Sequence, residues 1–166
     1  MEQGPEAASL VADATARGAT IATAESLTAG LVAAAIADVP GASAVLRGGV
    51  VAYHGDVKVG VLGVESDLLA ERGSVDPEVA LRMAAGARRV CGATIGVSTT
   101  GVAGPEPHDG KPVGRVYVAW ESPWGAAVEE LDLSGTRDEI RRAACRAALA
   151  AVVRALAGDD SGHMVS

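Results

Sequence analysis

The sequence predicts a single-domain α/β fold, a three-layer sandwich of helices, a mixed sheet and helices. Short apolar runs rich in β-branched residues alternate with segments of helical periodicity, the pattern of strands buried on both faces between helices. Arg115–Trp120 and Ala126–Leu133 are separated only by a short turn stretch, so this pair must run antiparallel inside the sheet. The composition suits a packed interior: 49% hydrophobic and 21% charged, with Ala, Val and Leu filling the core because Phe is absent. A chain of 166 residues holds one ordinary domain, placed at residues 1–158, with a polar tail at 159–166.

Each element has a local reason. Pro5 to Arg17 carries apolar residues at helical spacing and ends at Gly18, a residue suited to the left-handed stop. Ala19–Ala24 is a short buried strand, followed by a helix over Thr28–Val39 that Pro40-Gly41 ends. Gly48–His54 is a second strand, after which Asp56 caps a short helical turn carrying Lys58. Glu65–Arg72 gives a small helix before Gly73. Asp76-Pro77-Glu78 starts a helix to about Val90, with an N-cap carboxylate, proline at the first position and an acid in the first turn. Ala93–Thr100 is the third strand, then a Gly/Pro-rich loop leads into the hairpin, which turns through Ser122 to Gly125. Thr136 and Glu139 form a capping-box pattern that opens the last helix, closed by Gly158.

Charge and cysteine usage exclude several classes. A formal charge of −7 and a pI near 4.9 give no basic face for nucleic acid. No stretch approaches the roughly 20 apolar residues of a membrane span, and the acidic N-terminus has no signal-peptide character, so the chain is expected in the cytoplasm. Cys91 and Cys145 fall in no metal or redox spacing and are expected as reduced thiols. His108-Asp109 lacks further ligands at metal spacing, so no metal site is expected.

Ligands of such sheets gather at the carboxyl ends of strands. Thr23–Thr28, Ala52–Lys58 and Ser98–Pro105 all lie at or just past such ends and can converge on one pocket. Ser26 there has two readings: a helix N-cap, a role Thr28 can fill equally, or a nucleophile beside helix-start amides. There is no GxSxG elbow, and His54, His108 and His163 have no clear triad partner. Lys58 among Val57, Val59, Val61 and Leu62 is either a snorkelling surface lysine or a buried base of lowered pKa that Tyr53 orients or relays for. Gly104–Pro112 fails as a P-loop, having the wrong glycine spacing and Pro112 where a magnesium-binding hydroxyl is needed, although its glycines can offer amides to a phosphate. Arg137 and Arg141, four apart at a helix start, are solvated arginines or a phosphate clamp.

Together the segments TAESLTAGLVAAAIADVPGAS, GGVVAYHGDVKVGVLGV, GSVDPEVALRMAAGA, STTGVAGP, KPVGRVYVAW and SGTRDEIRR, in this order, resemble the C-terminal domain family of competence/damage-inducible protein CinA. The resemblance runs from about Ala7 to Leu156. Stand-alone members include nicotinamide-nucleotide amidases, so it implies hydrolysis of the carboxamide of nicotinamide mononucleotide to nicotinic acid mononucleotide and ammonia. It implies Ser26 as nucleophile, Lys58 and Tyr53 as the proton-handling pair, and Thr28, Thr100, Gly101, Gly104, Arg137 and Arg141 as substrate contacts. It further implies no metal or organic cofactor, a small nucleotide as partner, and self-association. The chain departs from the family pattern at Leu27 and Ala29, at His54-Gly55, and at Pro105–Pro112, which replaces a glycine-rich stretch. Two rival readings remain: an idle nucleotide-binding or assembly module, and an amidase for another small substrate.

Overall fold

The computed structural model describes residues 4–161. Its five-stranded mixed sheet has the order β2-β1-β3-β4-β5. Strand β1 (Ile21–Glu25) pairs parallel with β2 (Leu46–Val51) and with β3 (Ile95–Gly101). Strands β4 (Arg115–Ser122) and β5 (Gly125–Asp132) complete the other half as an antiparallel hairpin on β3. One face is covered by α1 (Pro5–Arg17), α2 (Leu31–Ala37) and α6 (Arg137–Ser161); α5 (Pro77–Cys91) covers the other, with the short α3 (Gly55–Gly60) and α4 (Ser66–Arg72) beside it.

The period of two along the strands divides the core. Ile21, Val116 and Val118 join the cluster beneath α1, α2 and α6, whereas Ala22, Ala24, Tyr117 and Ala119 face α5 and its neighbours. Small side chains bring the layers close. At Gly96 an added Cβ would lie 2.0 Å from the carbonyl of Ala84, so α5 rests directly on the backbone of β3.

Helix α1 has the bounds expected, ending at Gly18 with φ 64°. Asp76 caps α5, its carboxylate accepting the N–H of Glu78 at 2.9 Å and of Val79 at 3.2 Å. The capping box is reciprocal: the Thr136 N–H donates to Glu139 Oε1 at 3.0 Å and the Glu139 N–H to Thr136 Oγ1 at 3.2 Å.

Four expectations need correction. Strand β1 extends through Glu25, and α2 begins only at Leu31, because residues 26–30 form a tight turn with Ala29 at φ 48° and Gly30 at φ 104°. Strand β2 is shifted towards the N-terminus, since its ladder with β1 ends at the pair Glu25–Val51. His54 caps α3 instead of Asp56, its Nδ1 accepting the Asp56 N–H at 3.1 Å. Helix α6 runs through Gly158 to Ser161, since packing of the helix end beside Trp124, whose indole N–H donates to Ala155 O at 2.9 Å, outweighs the weak helix propensity of one glycine. The remainder of the expected tail, residues 162–166, lies outside the described residues, as does His163.

Candidate active site

The parallel strands end at one edge, and Ser26 follows β1 there. Its N–H continues the ladder to Thr99 O at 3.0 Å, and its side chain is buried. Ser26 does not cap α2, and neither does Thr28; the N-cap residue is Gly30, with no side-chain cap. The capping work falls to Glu25, which reaches across the turn. Its Oε1 accepts the N–H of Val32 at 2.8 Å and the Thr28 hydroxyl at 2.7 Å, and its Oε2 accepts the Ala33 N–H at 3.1 Å. Thr28 Oγ1 also lies 2.8 Å from Thr99 Oγ1, tying the turn to β3. From the outside, Arg141 donates to Leu27 O at 2.8 Å and Thr28 O at 3.2 Å. The serine therefore stands on a turn fixed from three directions.

Lys58 arrives from α3 and is 1% exposed. Its Nζ donates to Ala52 O at 2.7 Å, Tyr53 O at 3.3 Å and Ser26 Oγ at 3.0 Å. Burial lowers its pKa from 10.5 to about 8, opposed by the charge of Asp109. The geometry dictates what the neutral amine would do. Two partners are carbonyls, which only accept, so its two N–H bonds go to Ala52 and Tyr53 and its lone pair faces Ser26 Oγ. That is the arrangement of a base on a hydroxyl.

Ser26 and Lys58 lie in the wall of a cleft of about 390 Å³, also lined by Tyr53, Ser74, Thr100, Gly101, Gly104, Glu106, His108 and Arg137. This volume falls in the range of small-molecule sites. Tyr53 contributes to the rim: its side chain is largely exposed and its hydroxyl accepts from Arg137 at 2.8 Å. Its contact with Lys58 is through the backbone carbonyl, so the phenol neither orients the amine nor lies on its hydrogen bonds. Arg137 also donates to Gly104 O, joining the α6 start to the loop after β3. Arg141 serves the Ser26 turn and does not line the cleft, so the two arginines do not form the anticipated clamp.

Thr100 commits its hydroxyl to Ser74 O at 2.7 Å. Gly101 has a packing reason for lacking a side chain, since a Cβ would lie 2.7 Å from Arg115 O. Gly104, at φ 87°, turns the chain into the loop. His54 is an exposed cap on Asp56 outside the cleft lining, and His108 lines the cleft. Among the described residues no three His, Cys, Asp or Glu side chains gather in a metal-binding group, and no helix is long and apolar enough to cross a membrane.

Sequence reasoning missed Glu25 and Asp109. Nothing local marks a carboxylate that caps a helix seven residues on. Asp109 did carry a signal: Asp-Gly is the preferred centre of a two-residue hairpin turn, and both residues have positive φ here, 51° and 71°.

Fold and site together define a three-layer α/β protein with a cleft at its strand ends, built round a buried serine–lysine pair. The profile of the CinA C-terminal domain matches residues 5–156, and the chain belongs to that family. It is 47% identical over 150 residues to a CinA-like protein of Frankia casuarinae, a match spanning 90% of this chain and 35% of that protein. Two solved structures share the fold over almost their whole length. The competence/damage inducible protein CihA of Agrobacterium tumefaciens has a TM-score of 0.87 at 36% identity, covering 94% of this chain and 98% of that one. A CinA superfamily protein of Klebsiella pneumoniae has 0.90 at 30% identity, covering 95% and 99%.

Proposed function

We propose that this chain is an amidohydrolase for nicotinamide mononucleotide, with Ser26 as nucleophile and Lys58 as its general base and acid. The observation that carries the reading is the buried 3.0 Å contact between Lys58 Nζ and Ser26 Oγ in the wall of an open cleft. With a pKa of about 8, about a tenth of the amine is neutral at pH 7, roughly three-hundred-fold more than for a free lysine. Neutral Lys58 takes the Ser26 proton as Oγ attacks the carboxamide carbon. The tetrahedral intermediate then collapses, with the ammonium of Lys58 giving its proton to the departing amide nitrogen, which leaves as ammonia. Water, deprotonated by the same amine, adds to the acyl-serine ester, and the ammonium so formed returns its proton to Ser26 Oγ as the acyl–oxygen bond breaks, which frees the carboxylic acid to ionise and restores the serine and the amine. Arg137 at the α6 start suits the phosphate, a charge-assisted partner at a helix N-terminus. Family membership agrees with this reading without specifying it.

The test is ammonia release from nicotinamide mononucleotide by the purified chain and by Ser26→Ala. The wild type is expected to release ammonia, with kcat/KM rising with pH to a plateau above about 8, where the amine is neutral. Ser26→Ala is expected to lose about 10³-fold or more at unchanged melting temperature. Binding without ammonia release would favour an idle nucleotide-binding module, and neither binding nor release an amidase for another substrate. Tyr53→Phe separates rim from relay: removing the partner of Arg137 is expected to raise KM several-fold, about 1 kcal/mol, while turnover stays within about threefold of the wild type. Turnover slowed by about a hundredfold would put the phenol on the proton path.

A further inference from the structure

Attack on an acyl carbon needs more than a base. As Ser26 Oγ bonds to the carboxamide carbon, the electron pair of the C=O bond moves onto its oxygen, and that charge requires donors fixed in advance. The amides at the start of α2 are already committed: the Leu31 N–H donates to Thr28 O at 3.0 Å, and those of Val32 and Ala33 donate to Glu25. Two other amides beside Ser26 are free.

The first belongs to Gly101. Peptide groups along a strand turn alternately to its two neighbours. On β3, Thr99 O accepts the Ser26 N–H at 3.0 Å on the β1 side, whereas the Val102 N–H donates to Arg115 O at 2.9 Å on the β4 side. Gly101, two residues past Thr99, therefore turns its N–H towards β1. The β1–β3 ladder ends at the pair Glu25–Thr99, and a continued β1 would bring Ser26 O to that N–H. Instead the chain turns, and Ser26 O accepts the Ala29 N–H at 3.1 Å. The Gly101 N–H is left facing the space beside Ser26, with no acceptor among the described residues.

The second belongs to Leu27. Its N–H shares a planar trans peptide with Ser26 O, so it points away from a carbonyl pinned inside the turn. It too has no acceptor among the described residues. Leu27 and Gly101 both line the cleft, although the Leu27 side chain packs in the core beneath α1, α2 and α6. The residue before Gly101 is fixed as well, through the Thr100 hydroxyl on Ser74 O at 2.7 Å. Unpaired backbone amides in a packed wall are rare and need an explanation. We propose that the Gly101 and Leu27 N–H groups form the oxyanion hole of this centre, two held donors for the tetrahedral anion made on Ser26. The assignment rests on the serine–lysine reading of the cleft.

The probe is pyridine-3-boronic acid. Its boron takes the place of the carboxamide carbon and accepts Ser26 Oγ as a fourth ligand, the hydroxyl proton passing to Lys58, to give a tetrahedral anion. Attachment to the full chain is followed by boron NMR with Ser26→Ala as control, and its surroundings by the backbone amide spectrum. The Gly101 and Leu27 amide protons are expected to move downfield further than any other assigned amide, as new charge-assisted hydrogen bonds require. Replacing Leu27 by its α-hydroxy acid keeps the side chain and exchanges the N–H for an ester oxygen. In that variant kcat for ammonia release is expected to fall about 10²-fold or more, while KM and melting temperature change little. An adduct that leaves both amides unmoved overturns the hole, as does an ester variant of wild-type kcat. The two readings fail separately. A Ser26 adduct that moves both amides in a chain releasing no ammonia from nicotinamide mononucleotide refutes the amidase and keeps the hole; ammonia release with unmoved amides does the reverse.

Discussion

Replacing Lys58 by methionine is expected to reduce ammonia release by about 10³-fold or more and, in the same variant, to remove a pH dependence of stability. The first effect follows from losing the only group that hydrogen-bonds Ser26 Oγ among the described residues. The second follows from linkage. The amine has a pKa of about 8 in the fold against 10.5 when free. Below pH 8 both states are protonated, and the fold bears the full penalty of a buried charge. Between pH 8 and 10.5 the unfolded chain binds the extra proton, so stability rises with pH; above 10.5 the penalty is gone. The difference amounts to about 3 kcal/mol. Urea unfolding of wild type and Lys58→Met from about pH 7 to 10.5 should show the wild type gaining on the variant through this window. Groups common to both chains cancel, and the cost of leaving the Ala52 and Tyr53 carbonyls unpaired in the variant offsets the difference by an amount that does not change with pH. A difference that stays flat with pH would mean that the amine is not held in a depressed state, and the base would have to be sought elsewhere.

Glu25→Ala is expected to cost about 3–5 kcal/mol in unfolding free energy, more than any other single change near the cleft. The carboxylate is 2% exposed and is the acceptor for the Val32 and Ala33 amides and the Thr28 hydroxyl. Alanine leaves the Val32 and Ala33 amides with nothing to replace it, while the Thr28 hydroxyl keeps Thr99 Oγ1. Glu25→Gln retains one carbonyl oxygen but turns an amide N–H₂ towards a donor, so it should fall between, at about 1–3 kcal/mol, and still fold. In the Gln variant kcat should drop while KM changes little, because Glu25 holds the turn that carries Ser26 and has no place in the cleft lining. Denaturant curves and initial rates on one preparation would check both; a Gln variant of wild-type stability and turnover would show that the turn stands without its carboxylate.

What the sequence disclosed follows the range of the interactions concerned. Helix α1, the Asp76 cap and the Thr136–Glu139 box were legible because each is closed within a few residues. The layer order was legible because strand alternation and the antiparallel turn fix it. The start of α2 was misplaced, since the positive φ of Ala29 has no marker in an ordinary alanine and the cap comes from Glu25. Periodicity placed Gly158 at a helix end, whereas its neighbour Trp124 belongs to a turn remote in sequence. Ser26, Lys58 and Arg137 were candidates from their local sequence and Thr100 through family resemblance, and all four line one cleft. Their pairing was not legible from spacing: the Tyr53 phenol turns to Arg137, and Arg141 to the backbone of residues 27 and 28, because hydrogen-bond partners are chosen in space.

The placement of the two tryptophans has a practical consequence for experiments on every variant. Trp120 sits opposite Val97 near the start of β3, and Trp124 lies in the β4–β5 turn against the last turns of α6. Both belong to the end of the sheet away from Ser26 and Lys58, and neither lines the cleft. Their fluorescence therefore reports whether the antiparallel half is assembled and stays blind to what occupies the cleft, so one optical signal can certify the integrity of a variant while a separate assay reads its chemistry.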